Sequence, residues 1–93
     1  MYFMLLYDYV DDMATRRTPF REQHLGLVRR LHERGELLMA GAWANPLDGA
    51  ALVFRVPSAK AIEDFVAADP YVKHDLVTRW RIREWNVVVG GQA

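Results

Sequence analysis

The chain opens on an almost unbroken apolar and aromatic run, Tyr2-Phe3-Met4-Leu5-Leu6-Tyr7-Asp8-Tyr9. It is too short for a buried helix and predicts a central strand. Asp11 and Asp12 end it, and a polar loop follows through Thr15, Arg16 and Arg17. Thr18-Pro19 signals a helix start, with Thr18 as N-cap and Pro19 in the first helical position. Between Phe20 and Glu33 the period changes to that of a helix: His24, Leu27, Val28 and Leu31 share one face, and Glu22, Arg29, Arg30 and Glu33 fall elsewhere. Gly35 supplies the stop. Leu37 to Trp43 predicts a second strand and Ala51 to Val56 a third. Asn45-Pro46-Leu47-Asp48-Gly49 between them has turn chemistry throughout, so the pair reads as an antiparallel hairpin. Pro57-Ser58 opens a second helix with Ser58 as cap and Ala61, Ile62, Phe65 and Val66 as its apolar stripe. Asp69-Pro70 ends that helix, because the residue before proline resists helical angles. Tyr71 to Leu76 is a short connector. Thr78 to Val89 is β-rich, and its apolar phase moves from even positions (Trp80, Ile82) to odd ones (Trp85, Val87, Val89), which predicts a bulge or a strand buried on both faces.

The order β-α-β-β-α-β is the ferredoxin-like split βαβ pattern: an α+β domain with a four-stranded antiparallel sheet and both helices on one face. The length, 93 residues, makes one domain of residues 1–93. The first strand is apolar on both faces, with Phe3, Leu5 and Tyr7 against Tyr2, Met4 and Leu6. The helices cover only one of these faces, and pairing with a second copy would cover the other. Charge points the same way. Twelve Lys+Arg against twelve Asp+Glu give a formal net charge of zero, which leaves little repulsion between copies. A homodimer or higher homo-oligomer is therefore expected. The same balance lacks the basic surplus of a nucleic-acid binder. With no cysteine there is no disulfide framework, thiolate zinc site or cysteine nucleophile, which fits a cytoplasmic protein. No apolar run is long enough for a membrane span, so no membrane partner is expected.

Few residues carry candidate chemistry. His24 heads an apolar stripe near a helix N-terminus, where a neutral imidazole would serve as general base; the bland alternative is a packed core histidine. Arg21, one turn earlier, could hold an anionic substrate. Asp69 extends the stripe of Ile62, Phe65 and Val66 at helical spacing; its bland alternative is a turn former. With both helices on one sheet face the two can meet, and an Asp beside a His fixes its tautomer and stabilises its cation. His32 and His74 read as solvated. Asp8, Asp11 and Asp12 lack calcium-loop spacing. The glycines match no phosphate-binding fingerprint. His24 and Asp69 are too few ligands for a metal site. Thr18 and Ser58 have no neighbouring base, and the tryptophans Trp43, Trp80 and Trp85 read as core or dimer packing.

Four segments in order resemble the YciI-like (YCII-related) family. Arg17-Thr18-Pro19-Phe20-Arg21-Glu22-Gln23-His24-Leu25 is similar to its R-x-P-x-R-x-x-H-L stretch, and Gly35-Glu36-Leu37-Leu38-Met39-Ala40-Gly41 to its G-x-L-x-x-A-G segment. Asp69-Pro70-Tyr71-Val72 matches its D-P-Y-V signature, and Arg79-Trp80-Arg81-Ile82-Arg83-Glu84-Trp85-Asn86 its closing strand. The resemblance implies a dimeric α+β barrel with a His–Asp pair in a small pocket, here His24 and Asp69, and Arg21 as a pocket residue. One activity that it implies is dehydrochlorination of a chlorinated hydroxyquinol. One departure is Asp75, where the family often has Gly; its charge belongs either to the pocket rim or to solvent. The function expected is a cofactor-independent lyase or isomerase. His24 and Asp69 would be its catalytic pair, and Arg21, Arg17 and Tyr7 its contacts to a small cyclic or aromatic substrate. The rival reading is a non-catalytic small-molecule-binding or interaction module, since this fold hosts many functions. RNA binding through the sheet lacks both motif and charge.

Overall fold

In the computed structural model, which describes residues 1–91, all four expected strands form and pair antiparallel in the order β2-β3-β1-β4. The strands are β1 (Tyr2–Tyr9), β2 (Leu37–Ala42), β3 (Gly49–Arg55) and β4 (Val77–Trp85). Two longer helices, α2 (Arg21–Glu33) and α3 (Lys60–Ala68), lie on one face, and two single turns, α1 (Met13–Arg16) and α4 (Pro70–Lys73), precede and follow them. The architecture is the expected ferredoxin-like α+β fold.

Strand alternation builds the core. Phe3, Leu5 and Tyr7 of β1 stand opposite Phe54, Leu52 and Ala50 of β3, so all six share one face, and all six are buried. Ile62, Phe65 and Val66 of α3 pack onto them, with Leu27, Val28 and Leu31 of α2 at the margin. Each large apolar side chain buried this way contributes roughly 1.5–3 kcal/mol. Tyr2, Met4, Leu6, Ala51 and Val53 point to the opposite face, which no helix or strand among the described residues covers; Met39 and Trp43 beside them are 68% and 51% exposed.

Several local expectations change. The loop after β1 contains α1, because Met13 is 2% exposed and joins Tyr71 and Leu76 in a second small core. Thr18 does not cap α2. It begins a 3₁₀ turn (Thr18–Phe20), its hydroxyl donates to the Ala14 carbonyl at 3.4 Å, and Phe20 takes the N-cap position. Ser58 sits one residue before the N-cap Ala59, with its hydroxyl accepting from the Lys60 N–H at 3.4 Å. The irregularity of β4 lies at its start, where Tyr9 pairs with Val77 after Asp8 pairs with Arg79; the register then runs unbroken to Tyr2 opposite Trp85. Trp85 shares the uncovered face with Tyr2, so the change of apolar phase marks two different faces. The strand ends there, leaving Val88 and Val89 exposed. Trp43, Trp80 and Trp85 are each close to half exposed and are not core.

The hairpin requires glycine at one point. A Cβ on Gly49 would stand 2.5 Å from the Tyr7 carbonyl oxygen and 2.9 Å from the Trp43 indole nitrogen. Asp75 is exposed and adopts φ 59°, the left-handed conformation that glycine enters most easily and aspartate tolerates better than most residues. Its exposed charge stands in solvent, and Asp75 is not among the residues that line the cavity between α2 and the sheet.

Candidate functional site

Asp69 is fully buried, which for a carboxylate demands partners. Pro70 dictates its backbone. With φ −70° and ψ 119° Asp69 leaves α3 in extended conformation and becomes the N-cap of α4, its Oδ1 accepting the Tyr71 N–H at 3.0 Å. Turn former and candidate site residue are thus one and the same. Two further donors reach the carboxylate from distant parts of the chain. His24 Nδ1 lies 2.8 Å from Oδ1, and the Tyr7 hydroxyl donates to Oδ2 at 2.7 Å. A carboxylate can only accept, so the Nδ1 of His24 carries the proton. In the neutral ring Nε2 then holds the free lone pair.

His24 is fixed in orientation as well as tautomer. It stands in the first turn of α2, 8% exposed, and the Tyr71 ring stacks flat on it with centroids 3.8 Å apart and planes 6° from parallel. The open side of the imidazole meets a cavity of about 190 Å³ between α2 and the β2–β3 side of the sheet. Leu25, Val28, Ala40 and Leu52 line it with apolar surface, and Tyr9, Tyr71, Arg17 and Arg21 supply its polar groups. Arg17 stands directly before the 3₁₀ turn and Arg21 directly after it, as the first residue of α2, so the two enter the cavity lining from either end of that turn.

Of the residues expected from sequence, His24, Arg21 and Arg17 line the cavity and Asp69 stands directly behind His24. Tyr7 does not reach the cavity. It is 1% exposed and its hydroxyl is committed to Asp69, so a position expected to contact substrate instead orients the carboxylate. Tyr9 and Tyr71 were not expected. Tyr9 continues the face of Tyr7 along β1, and Tyr71 follows the Asp-Pro cap directly; those two placements were the available signals. His32 donates to the Leu37 carbonyl and His74 stacks on Phe20, both away from this cavity. Among the described residues no group of three or more potential metal-ligating side chains comes together, and no helix is long and apolar enough to cross a membrane.

The tyrosines give the site a defined response to alkali. Burial is the main force pushing the Tyr7, Tyr9 and Tyr71 hydroxyls above the ordinary tyrosine value, and the Asp69 carboxylate adds to it in each case. The unfolded chain therefore loses these protons first, near pH 10. The contribution of these phenols to stability is full below about pH 10 and is lost as pH rises beyond it. In a tyrosinate absorbance titration followed together with circular dichroism, these three phenols are expected to ionise only as the fold is lost. Ionisation of all of them with the circular dichroism unchanged would contradict the burial described.

Comparison with known proteins agrees with this architecture. An uncharacterized protein of Haemophilus influenzae is 28% identical over 82 residues, covering 78% of this chain and 84% of the relative. A solved structure of 5-chloro-2-hydroxyhydroquinone dehydrochlorinase from Burkholderia phenoliruptrix, in complex with 2,5-dihydroxybenzoquinone, superposes with a TM-score of 0.79 at 18% identity, covering 92% of this chain and 94% of that one. A protein of Agrobacterium tumefaciens superposes at 0.55 with 15% identity over 88% of each chain. At these identities the structural likeness speaks to the fold. The sequence itself goes further: the model of the YCII-related domain matches residues 1–86, and the chain belongs to that family.

Proposed function

We propose that the protein is an acid–base enzyme, a lyase or isomerase that removes a proton from a small cyclic or aromatic substrate without a cofactor. The observation that carries this reading is the 2.8 Å contact between His24 Nδ1 and the buried Asp69 carboxylate, on the one imidazole that faces the cavity. His24 Nε2 takes the proton from a carbon or hydroxyl of the substrate. The electron pair left behind moves into the ring system, and a leaving group such as chloride departs, or the proton returns elsewhere. Asp69 stabilises the imidazolium that forms, Tyr7 and the Tyr71 N–H hold Asp69 in place, and Arg21 and Arg17 bind the substrate. The dehydrochlorinase of similar fold supports elimination as the first reaction class to examine. The test is a screen of halogenated hydroxyquinols, lactones and small cyclic acids, read by halide release and by solvent deuterium incorporation. Turnover in one of these classes is expected. Binding without turnover across all of them would leave a ligand-binding module instead.

The uncovered sheet face calls for a partner, and a second copy of the chain is the occupant proposed. Met4, Met39, Trp43, Ala51 and Val53 form an apolar groove on it, and zero net charge opposes no self-association. Wild-type protein is expected to sediment as a dimer and Val53→Asp as a folded monomer. A wild-type monomer at micromolar concentration would refute the pairing.

A further inference from the structure

The phenol of Tyr71 presents a discrepancy that packing does not explain. The residue is 2% exposed, and its hydroxyl oxygen is the buried side-chain polar atom without a hydrogen-bond partner among the described residues. Phenylalanine would fill the same space, stack equally well on His24 and leave the Tyr71 N–H on Asp69 untouched. A buried donor without an acceptor is destabilising, so native structures rarely keep one without a purpose.

Its neighbours sharpen the point. Arg17 and Arg21 both act electrostatically on this hydroxyl, and Arg21 reaches towards it without completing a bond of good geometry. An arginine only donates, so no approach of Arg17 or Arg21 could accept the Tyr71 proton. Neither arginine has an ion-pair partner among the described residues. The nearest acid, Asp69, already accepts from His24, Tyr7 and the Tyr71 N–H. Three donor groups therefore converge on one side of the cavity with no acceptor of their own. Two guanidinium charges against one carboxylate leave the site at +1 while His24 is neutral, which matches a single negative charge. Burial keeps the phenol in its protonated, donating form. The space is limited: an apolar cavity of about 150 Å³ holds one benzene, and this one is about 190 Å³.

We propose that the Tyr71 hydroxyl, together with Arg17 and Arg21, seats an anionic oxygen of the substrate, so that the cavity selects planar single-ring monoanions, carboxylates or ionised enols. This rests on the reading of the cavity as the substrate site and adds the class of substrate to it. Because the Tyr71 ring is stacked on His24, the anion seat and Nε2 keep a fixed relation, and the proton removed is the one that this relation presents to the base.

The experiment is a binding titration of the full chain at neutral pH by NMR or calorimetry with benzoate, with 4-hydroxy-6-methyl-2-pyrone as a single-ring enol that ionises once, and with neutral benzamide. Both anions are expected to bind about tenfold or more tightly than benzamide. Tyr71→Phe is expected to weaken the anions by roughly tenfold, to leave benzamide unchanged, and to unfold no more easily than wild type, since it removes an unpaired donor. A tyrosine retained for packing would move neither ratio. Arg21→Gln, at an exposed position, gives the same anion-selective loss without depending on how Tyr71→Phe folds. Failure of benzoate and the enol to bind, equal binding of benzoate and benzamide, or full anion affinity in Tyr71→Phe would overturn the proposal. These readouts do not involve turnover. A protein that binds anions selectively but catalyses nothing would refute the enzymatic reading and leave this one standing.

Discussion

Asp69→Ala is expected to lower the stability of the fold by roughly 3–5 kcal/mol, because an unsatisfied buried donor costs about 1–3 kcal/mol and the substitution leaves several at once. The mechanism is the number of groups left behind. His24 Nδ1, the Tyr7 hydroxyl and the Tyr71 N–H all point at this carboxylate, which is fully buried, and none has a replacement acceptor. The substitution also deletes the N-cap of α4, worth about 1 kcal/mol alone. For a domain of this size roughly 4–8 °C of melting temperature accompanies each kcal/mol, so the midpoint falls by about 12–40 °C. Total stability is commonly only about 5–15 kcal/mol, so a substantial unfolded fraction is expected at growth temperature. Asp69→Asn separates the causes. Asparagine caps well and keeps one oxygen, but its amide group turns a second donor towards a donor, so a smaller loss of about 1–3 kcal/mol is expected. Urea denaturation of both variants measures this. A loss below about 1 kcal/mol for Asp69→Ala would mean that the three bonds are not made in solution.

The parts of this structure that sequence exposes are those with a local cause. Phe3, Leu5 and Tyr7 alternate with Tyr2, Met4 and Leu6 because a strand has period two. His24 to Leu31 repeats because a helix does not. Asp69-Pro70 stops α3 because proline restricts the residue before it. The position of Asp69 at the end of the Phe65–Val66 stripe also pointed it towards the sheet. The meeting of His24 and Asp69 across 45 residues was legible as a possibility, from two helices on one sheet face, and the family resemblance implied it. The bond from Tyr7 to Asp69 spans 62 residues, and spacing carries no record of it. Tyr7 accordingly reads from sequence as a substrate contact, whereas its hydroxyl is held by Asp69. Helix α1 escaped notice because a single buried residue, Met13, anchors it inside a polar stretch. Thr18 carries the signature of a cap, yet its hydroxyl turns back to Ala14 because the 3₁₀ turn displaces the start of α2. Tyr71 reads from sequence as part of a connector; its stacking on His24 and its unpaired hydroxyl arise only when α4 folds back against α2.

His24→Asn is expected to abolish most of the chemistry while keeping most of the structure. The asparagine side-chain nitrogen occupies nearly the place of the imidazole Nδ1, so it can still donate to Asp69 Oδ1 and spare the buried carboxylate an unpaired existence. What asparagine lacks is anything at the position of Nε2, the basic atom on the cavity side. A positioned general base contributes about 10²–10⁴-fold to rate, and a fall in kcat of that size is expected with whichever substrate the screen identifies. Stability is expected to drop by about 1–2 kcal/mol, from the lost ring and its stacking on Tyr71. The division between kcat and KM is the informative part. Arg17, Arg21 and Tyr71 are untouched, so KM is expected to hold within a few-fold while kcat collapses, the pattern of a group that acts mainly in the transition state. His24→Ala would confound the two effects, because it removes the base and also strips Asp69 of a donor. An Asn variant that folds like wild type and turns over at more than about a tenth of its rate would assign the proton transfer to another group. Tyr9 and Tyr71 would be the next to examine, since both line the cavity and carry a hydroxyl able to move a proton.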